Sequence, residues 1–409
     1  MKKVVLAYSG GLDTTYCAIY LSKVQQLEVH AVTIQTGGFS EEELQNIEKK
    51  ARLLGVASFK VIDVTSAYYE SCIKYLIFGN VLKNATYPLS VSAERMVQAI
   101  TVAQYAADMN ADFVAHGSTG AGNDQVRFDM VFQSMIPNIG IITPIRDMRL
   151  SREAEISFLK KNDVEMNFEK AQYSINKGLW GTSVGGRETL TSDGYLPESA
   201  WPTQVTETEP RDITLTFEKG ELTGISDIAF DSPVEAIQYL QAIAQPYGIG
   251  RDIHVGDTII GIKGRVGFEA AAPIIIIKAH HLLEKHTLTK HQLYWKDQLS
   301  TWYGNWLHEG MMLDPTMRNI ESFLLDSQKT VSGKVHVTLH PYRFILKGID
   351  SPHDMMNNKF GAYGEMNNSW SGDDVKGFAK IFGNQVGIYN AVNGYKFELT
   401  GGKTFQENE

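Results

Sequence analysis

Ser9, Gly10, Gly11, Leu12, Asp13, Thr14 and Thr15 form the stretch SGGLDTT between a β-branched run and an apolar helical pattern. Glycine admits left-handed torsions and lets a ligand approach the backbone. Successive N–H groups at the positive end of a helix form an anion nest, and the hydroxyls of Ser9, Thr14 and Thr15 add donors. Phosphate is the anion that suits this chemistry. Neither the GxGxxG dinucleotide fingerprint nor a Walker A GxxxxGK loop is present, and no lysine follows the glycines to reach a β- or γ-phosphate. The plainer alternative is a tight strand-to-helix turn in which Asp13 caps the helix.

A second stretch, AHGSTGAGNDQVRFD over 115–129, starts where a strand ends. Asn123 offers a donor and an acceptor, Asp124 can hold an ammonium or a urea-like N–H, and Arg127 can take a carboxylate in a two-pronged bond. That trio suits a zwitterionic amino acid; a surface loop with a capped helix and a solvent ion pair is the alternative. Arg95 and Arg146 join Arg127 as candidates to offset phosphate charge, against ordinary salt bridging. His116 either sits by the phosphates or packs the strand end. His281, His286 and His291 follow one another at intervals of five, which misses the three-or-four spacing of a shared helix face. With His280, they are expected on a solvated helix surface, and no metal ligands are assigned. Trp295, Trp302 and Trp306 are read as domain or subunit packing. No Ser/His/Asp or Cys/His set suggests a covalent nucleophile.

The elements that must position these groups follow from period and turn chemistry. KKVVLAY, VHAVTIQTG, FKVIDV, ADFVAHGS and IGIITPI read as strands, with helical patterns between most of them and SREAEISFLKKND after the last. Ser40, Glu43 and Gly55 mark the start and stop of one such helix. Strands joined through helices imply crossover connections and a parallel sheet covered on both faces, with ligands beyond the carboxyl ends of the strands. After Phe168, RDITLTFEKGELTGI and GKVHVTLHPYRFILKG read as hairpins, SPVEAIQYLQAIAQPYG as a proline-opened helix, and the stretch through PIIIIKAHHLLEKHTL as a strand, a glycine turn and a buried helix. The Gly- and Asn-rich tail from Gly361 has too few apolar positions for its own core; an arm across a partner subunit or a surface-packed tail are its two readings. Three parts result: 1–165, 166–360 and 361–409.

The size and composition fit a folded soluble protein of two or three domains: 409 residues, 43% hydrophobic and 21% charged. The net charge of -9 argues against a nucleic-acid binder, although a local basic groove can sit on an acidic protein. Cys17 and Cys72 make no disulfide framework, and no signal-peptide pattern or membrane-length apolar run is expected, which points to the cytoplasm.

SGGLDTT directly after the first strand resembles the pyrophosphate loop of the PP-loop ATP pyrophosphatase superfamily, whose members cleave ATP between the α- and β-phosphates. AYSGGLDTT and AHGSTGAGNDQVRFD together, with YPLSVSAER, PIRDMRLSREAEISFL, YSINKGLWGTS and KGRVGFEA in the same order, resemble the argininosuccinate synthase family over nearly the whole chain. The resemblance implies an α/β class: a parallel-sheet PP-loop, adenine nucleotide alpha hydrolase-like domain, an α+β synthetase domain and a C-terminal oligomerisation arm. It implies a ligase of arginine biosynthesis that joins L-citrulline to L-aspartate using ATP and Mg2+. It also implies a homotetramer, with no nucleic acid or membrane partner.

Carried over residue by residue, Ala7, Tyr8, Ser9, Gly10, Gly11, Leu12, Asp13, Thr14 and Thr15 match the ATP loop, Ile34 and Gln35 an adenine contact, and Gly117 a glycine near the nucleotide. Tyr87, Ser92, Asn123, Arg127, Ser174, Ser183 and Glu269 match citrulline positions; Thr119, Asn123 and Asp124 match aspartate positions. Asp13 is the candidate for organising the loop or the water shell of the metal. Asp124 is the candidate to orient the attacking amine and help take its proton, and Arg95 is a further candidate beside the substrates. Four departures stand out: Thr15 ends the first motif, Val91 stands beside Ser92 where relatives carry threonine, Gly185 replaces a glutamate that faces the citrulline amino group, and Ile277 replaces a tyrosine. Glu188 or Glu269 are the candidates to supply the missing carboxylate. The rival expectations are a tRNA-modifying PP-loop enzyme and a catalytically silent nucleotide-binding relative.

Overall fold

The structure, a computed structural model, describes residues 1–164, 173–356, 359, 361–365 and 369–397. Its first five strands are β1 (Lys3–Ala7), β2 (Glu28–Gln35), β3 (Ser58–Asp63), β4 (Phe113–Ala115) and β5 (Gly140–Ile142). They form a parallel sheet in the order β3-β2-β1-β4-β5. Successive β1 residues point to opposite faces, so Val4 and Leu6 enter one apolar cluster and Val5 another. The first cluster lies under α1 (Leu12–Ile19), α2 (Glu41–Leu53) and α8 (Arg152–Lys161). The second lies under α5 (Ser92–Asp108) and α6 (Asp124–Met135). This is the doubly covered parallel sheet that the alternation of strands and helices predicts.

The expected start of α2 is present in full: Ser40 accepts from the Glu43 amide, and Glu43 returns a bond to the Ser40 amide. α1 departs from expectation. It passes after Ile19 into a π-helical turn, Tyr20–Val24, and its N-cap is Gly11, so Asp13 is a first-turn residue rather than the cap. Between β3 and α5 a further helical run spans α3 (Thr65–Tyr68), a π turn (Tyr69–Ile73) and α4 (Lys74–Phe78), and α7 (Pro144–Asp147) follows β5.

Two antiparallel sheets follow. The four-stranded one, in the order β11-β12-β7-β6, comprises β6 (Ser174–Gly178), β7 (Gly181–Gly185), β11 (Arg251–Asp257) and β12 (Lys263–Glu269). The five-stranded one, β10-β9-β8-β13-β14, uses β8 (Arg211–Glu218), β9 (Glu221–Ile225), β10 (Ile228–Ala229), β13 (Gly333–His340) and β14 (Arg343–Asp350). Both expected hairpins, β8–β9 and β13–β14, form. The helices of this part are α9 (Pro233–Ala244), α10 (Ala271–Thr287), α11 (Lys290–His308) and α12 (Pro315–Ser327). Ile277 is a core residue of α10.

His280 is not on a solvated surface. It is buried in α10 between Asn80 and Gln328, whose amide nitrogens are committed to Glu284. Glu284 in turn holds the ammonium of Lys296 at 2.8 Å, with both side chains 0% exposed. Trp295 and Trp302 are exposed, whereas Trp306 packs partly against the core.

Met1–His353 forms one compact unit and Asp354–Glu409 a second. The boundary expected at 165–166 falls outside the described residues. In the second unit, α13 (Gly372–Phe382) starts on a Ser371–Asp374 capping box, and α14 (Asn384–Asn393) follows. Val375, Phe378, Ile381, Phe382, Val386, Ile388, Tyr389 and Val392 are all exposed on these helices.

Candidate active site

The chain leaves β1 at Ala7 and turns through Tyr8, Ser9, Gly10 and Gly11 into α1. Gly10 has φ +73°, a torsion that strains any side chain, and an added Cβ would lie 3.2 Å from Ile47. Ser9 and Thr14 close the turn: their hydroxyls are 3.2 Å apart, and the Ser9 amide donates to Thr14 Oγ1. Gly11 has no side chain to cap α1, so the leading amides keep no side-chain acceptor of that kind. The strand-to-helix glycine turn read from SGGLDTT is present. Tyr8 and Thr15 are buried, and neither Tyr8 Oη nor Thr15 Oγ1 has a hydrogen-bond partner.

Gly117 brings the second motif against this loop. A Cβ there would stand 3.1 Å from the Asp13 carbonyl carbon and 3.2 Å from its Cβ, so a side chain at 117 would press the first turn of α1 outward by a few tenths of an ångström. Ile34 and Gln35 end β2 beside β1. The Gln35 side chain spans the following turn, donating to Phe39 O and accepting from the amides of Gly37 and Phe39.

Beyond Gly117 the chain runs through exposed Thr119 to Asn123 and Asp124, the latter opening α6. Asp124 holds two guanidinium groups, Arg95 Nε at 3.1 Å and Arg127 Nη1 at 2.9 Å. Burial alone would raise the Asp124 carboxyl, but the two arginines outweigh it and hold the group below the usual carboxylate range. Arg127 is buried and spends its other nitrogens on the His308 carbonyl, at 3.0 and 2.7 Å. A two-pronged grip on a substrate carboxylate therefore has to compete with bonds that Arg127 already makes. Arg146 is bound to Asp129 at 2.6 Å, and His116 also meets Asp129 while packing on Phe128 and Phe132. Both belong to the support of α6.

The small sheet closes the site from the other side. Cross-strand pairing places Ser174 opposite Gly185, Asn176 opposite Ser183, and Ser183 opposite Phe268, all on one face. His254 and Phe268 on that face pack against Tyr87, with ring centroids 5.0 and 5.3 Å away. Asn176 accepts from Arg95 Nη2 at 2.8 Å, and the Ile259 amide donates to Asn123 Oδ1 at 2.8 Å. Tyr87, Ser92, Arg95, Asn123, Asp124 and Ser183 are thereby brought into one neighbourhood. Ser92 is buried at the start of α5 with its hydroxyl unpartnered.

Glu269 faces the other way. It pairs with Arg251 across the strands, at 3.1 Å, and Arg251 lies over Trp201 and binds Glu198. Glu188 lies with the Tyr173 ring along the direction a Gly186 Cβ would take, and in extended chain that direction is opposite to Gly185. Neither acid reaches the face of Gly185, where an added Cβ meets nothing nearer than Ser174 O at 4.0 Å.

Two residues that sequence reasoning missed belong here. Asn176 fixes Arg95, and Glu94, buried beside it, accepts from Thr36 and Gln98 while burial raises its carboxyl to about 7. A Cβ on Gly178 would stand 2.3 Å from Glu94 Oε2, so the β6–β7 turn is cut to fit this acid. The signals available for them were a lone asparagine in a weak strand and a first-turn glutamate, which carry no chemistry until their partners are known.

Residues 3–165 match the profile of the Arginosuccinate synthase N-terminal HUP domain, and residues 173–389 that of the Arginosuccinate synthase C-terminal domain. The chain is 34% identical to the argininosuccinate synthase of Dictyoglomus thermophilum over 396 residues, covering 96% of this chain and 98% of that one. It is likewise 34% identical to those of Xylella fastidiosa over 404 residues (96% and 98%) and Methanocaldococcus jannaschii over 391 residues (94% and 97%). With Gly117 set against Asp13 and Thr14 of the SGGLDTT loop, these two domain profiles and the relatives matched along its length place the chain in the argininosuccinate synthase family.

Proposed function

We propose that this chain joins L-citrulline to L-aspartate at the expense of ATP, forming argininosuccinate, AMP and pyrophosphate. The single observation that carries the reading is the close approach of Gly117 to Asp13 and Thr14, which joins the segment leading to Asp124 to the glycine loop. The ureido oxygen of citrulline is a poor leaving group. Its attack on the α-phosphorus breaks the α–β bond of ATP, releases pyrophosphate and leaves a citrullyl-adenylate. The amine of aspartate then attacks the activated guanidino carbon, AMP departs, and the amine proton is lost. We assign the loop from Ser9 to Thr15 to the triphosphate, with the amides between Gly10 and Thr14 as the donors that stabilise the departing charge, since the Ser9 and Thr15 amides are held within the turn. The end of β2, at Ile34 and Gln35, takes the adenine.

Tyr87, Ser92, Ser174 and Ser183 line our assignment for citrulline, and Thr119, Asn123 and Asp124 that for aspartate. Asp124, ionised between two arginines, orients the incoming ammonium and is a weak base, so proton acceptance passes to solvent or to the departing phosphate. No three acidic, imidazole or thiol groups converge among the described residues, so we assign the magnesium that accompanies ATP to the phosphate oxygens and not to a protein cage.

Pyrophosphate release measured with ATP, Mg2+, citrulline and aspartate tests the reading. Release only with both amino acids, or exchange with citrulline alone, is expected. Release that needs tRNA, or nucleotide binding without turnover, overturns it.

We assign residues 1–165 to nucleotide binding, 166–360 to closing the amino-acid site, and 361–409 to an arm that makes the chain a homotetramer. The exposed apolar residues of α13 and α14 supply the contact surface. Deletion from Gly361 onward is expected to shrink the particle in size-exclusion chromatography, and an unchanged elution volume relative to mass removes the arm from assembly. The buried free thiols Cys17 and Cys72 fit a reducing cytoplasm, and no described helix is long and apolar enough to cross a membrane.

A further inference from the structure

Arg95 commits its three nitrogens to three elements. Nε donates to Asp124 of α6 at 3.1 Å, Nη2 to Asn176 of β6 at 2.8 Å, and Nη1 to Gln98 Oε1, on α5 itself, at 2.8 Å. The Gln98 amide is held from its other end, where Nε2 donates to Glu94 Oε1 at 2.8 Å. The same Glu94 oxygen accepts from the Thr36 hydroxyl at 2.7 Å. Thr36 directly follows β2, and its carbonyl accepts from the amide of Leu179, in the β6–β7 turn, at 3.1 Å. A closed circuit results, running from the end of β2 through Glu94, Gln98 and Arg95 to Asn176 and back along the β6–β7 turn to Thr36. Gly37, at φ +87°, and Gly38 let it close: a Cβ on the first would lie 3.0 Å from Leu179 Cβ, and one on the second would run into the Lys177 carbonyl. Glu94 is 2% exposed, and its Oε2 has no hydrogen-bond partner among the described residues. Burying a carboxyl with one oxygen unpaired is unfavourable, so a position that served packing alone would be filled better by an apolar side chain.

We propose that Glu94 is a positioning residue for the aspartate step: through Gln98 it fixes the guanidinium plane of Arg95 against Asp124, and through Thr36 it ties that plane to the end of the nucleotide strand. The inference rests on the reading of Asp124 as the group that orients the aspartate amine. A glutamine amide can turn end for end. Glu94 Oε1 accepts and Arg95 only donates, so a single orientation of Gln98 serves both. Without Glu94 the amide is free to turn its nitrogen toward Arg95, where a donor would face a donor. Arg95 would then keep Asn176 and Asp124 but lose the contact that stops it tilting about them. A small displacement of Asp124 weakens capture of the second amino acid and leaves the adenylation of the first intact, because Asp124 acts on the second alone. Burial raises the Glu94 carboxyl to about 7. Its Oε1 accepts with or without a proton on Oε2, so the path persists on both sides of that value.

The test separates the two half-reactions at pH 8. Citrulline-dependent exchange of labelled pyrophosphate into ATP reports the first without aspartate, and steady-state turnover at varied aspartate reports the second. Glu94→Ala and Gln98→Leu should each raise the KM for aspartate about tenfold or more, the size of a lost hydrogen bond to a charged group, while the exchange rate stays within about twofold of wild type. Glu94→Gln, whose amide oxygen can still accept from both donors, should recover most of the loss. The double variant of Glu94→Ala with Gln98→Leu should be no worse than its worse single, because both cut one path. If Glu94→Ala does not fold, Gln98→Leu decides alone. An unchanged aspartate KM in Gln98→Leu, exchange that falls in step with turnover, or losses that multiply in the double variant overturn the proposal while leaving citrulline activation standing. Absence of citrulline-dependent exchange in the wild type removes the reading of the site, and the proposal with it.

Discussion

Asp124→Ala is expected to reduce pyrophosphate release with citrulline and aspartate by about 100-fold or more while ATP still binds. Asp124 is the shared acceptor of Arg95 and Arg127, at 3.1 and 2.9 Å, and among the described residues no other carboxylate holds Arg127. Removing it leaves two guanidinium groups repelling each other at the point where we place the aspartate amine. The nucleotide loop lies on a different segment and, among the described residues, makes no hydrogen bond or ion pair to Asp124, so its amides are expected to be unaffected. Asp124→Asn keeps an acceptor and loses the charge, and should fall between wild type and Ala. Because the arginines hold the Asp124 carboxyl below its ordinary value, activity should show no acid limb from this group until pH falls below the usual carboxylate range. Unchanged turnover in Asp124→Ala takes the residue out of the mechanism; loss of ATP binding instead shows that the whole site has collapsed.

The second large effect is on stability. Glu284→Ala is expected to cost about 3–5 kcal/mol, because it leaves the buried Lys296 ammonium without its counter-charge. It also strips Asn80 and Gln328 of the acceptor that orients them around His280. The Lys296 ammonium keeps only the Phe78 carbonyl, at 3.0 Å, which cannot replace a charge. Burial raises Glu284, but His280 and Lys296 pull it below its ordinary value, so its contribution is present above that value and lost as pH falls through the folded one. A urea titration of each variant measures the loss. Glu284→Leu combined with Lys296→Met should recover most of it, since an apolar pair of similar volume has no buried charge to compensate. A Glu284→Ala midpoint equal to that of the wild type shows that Lys296 finds another partner.

The parallel sheet was legible because each β1–β5 strand is a short β-branched or aliphatic run bounded by turn chemistry, and the helices between most of them carry their own start signals. Ser40 and Glu43 show this best: a capping box is a contact between near neighbours, so the letters nearly suffice. The π-helical turn after α1 was not legible, because one residue more per turn leaves the apolar pattern almost unchanged. His280 failed for a related reason. Spacing among the histidines says whether they share a helix face, but not what covers that face, and here Asn80 and Gln328 come from distant segments to cover it.

The acids divide the same way. Glu269 and Glu188 were candidates because they carry charge in the right stretch of chain. Strand register assigns Glu269 to the face of Arg251 and turns it from Ser183, and a one-residue step along a strand reverses the side a group presents.

By itself, then, the order of residues determined what is local: a glycine turn from strand to helix, helices with their caps, two hairpins, and a motif rich in groups that suit an amino acid. These depend on torsion preferences and on contacts a few residues apart, which chemistry and spacing specify directly. Only the tertiary structure decided which charges are free to act, because the partners are remote: Arg95 finds Asn176 across 81 positions, Asn123 finds Ile259 across 136, and Arg127 finds His308 across 181. The net charge of a buried group is the sum over such neighbours, and that sum exists only once the chain has closed around it.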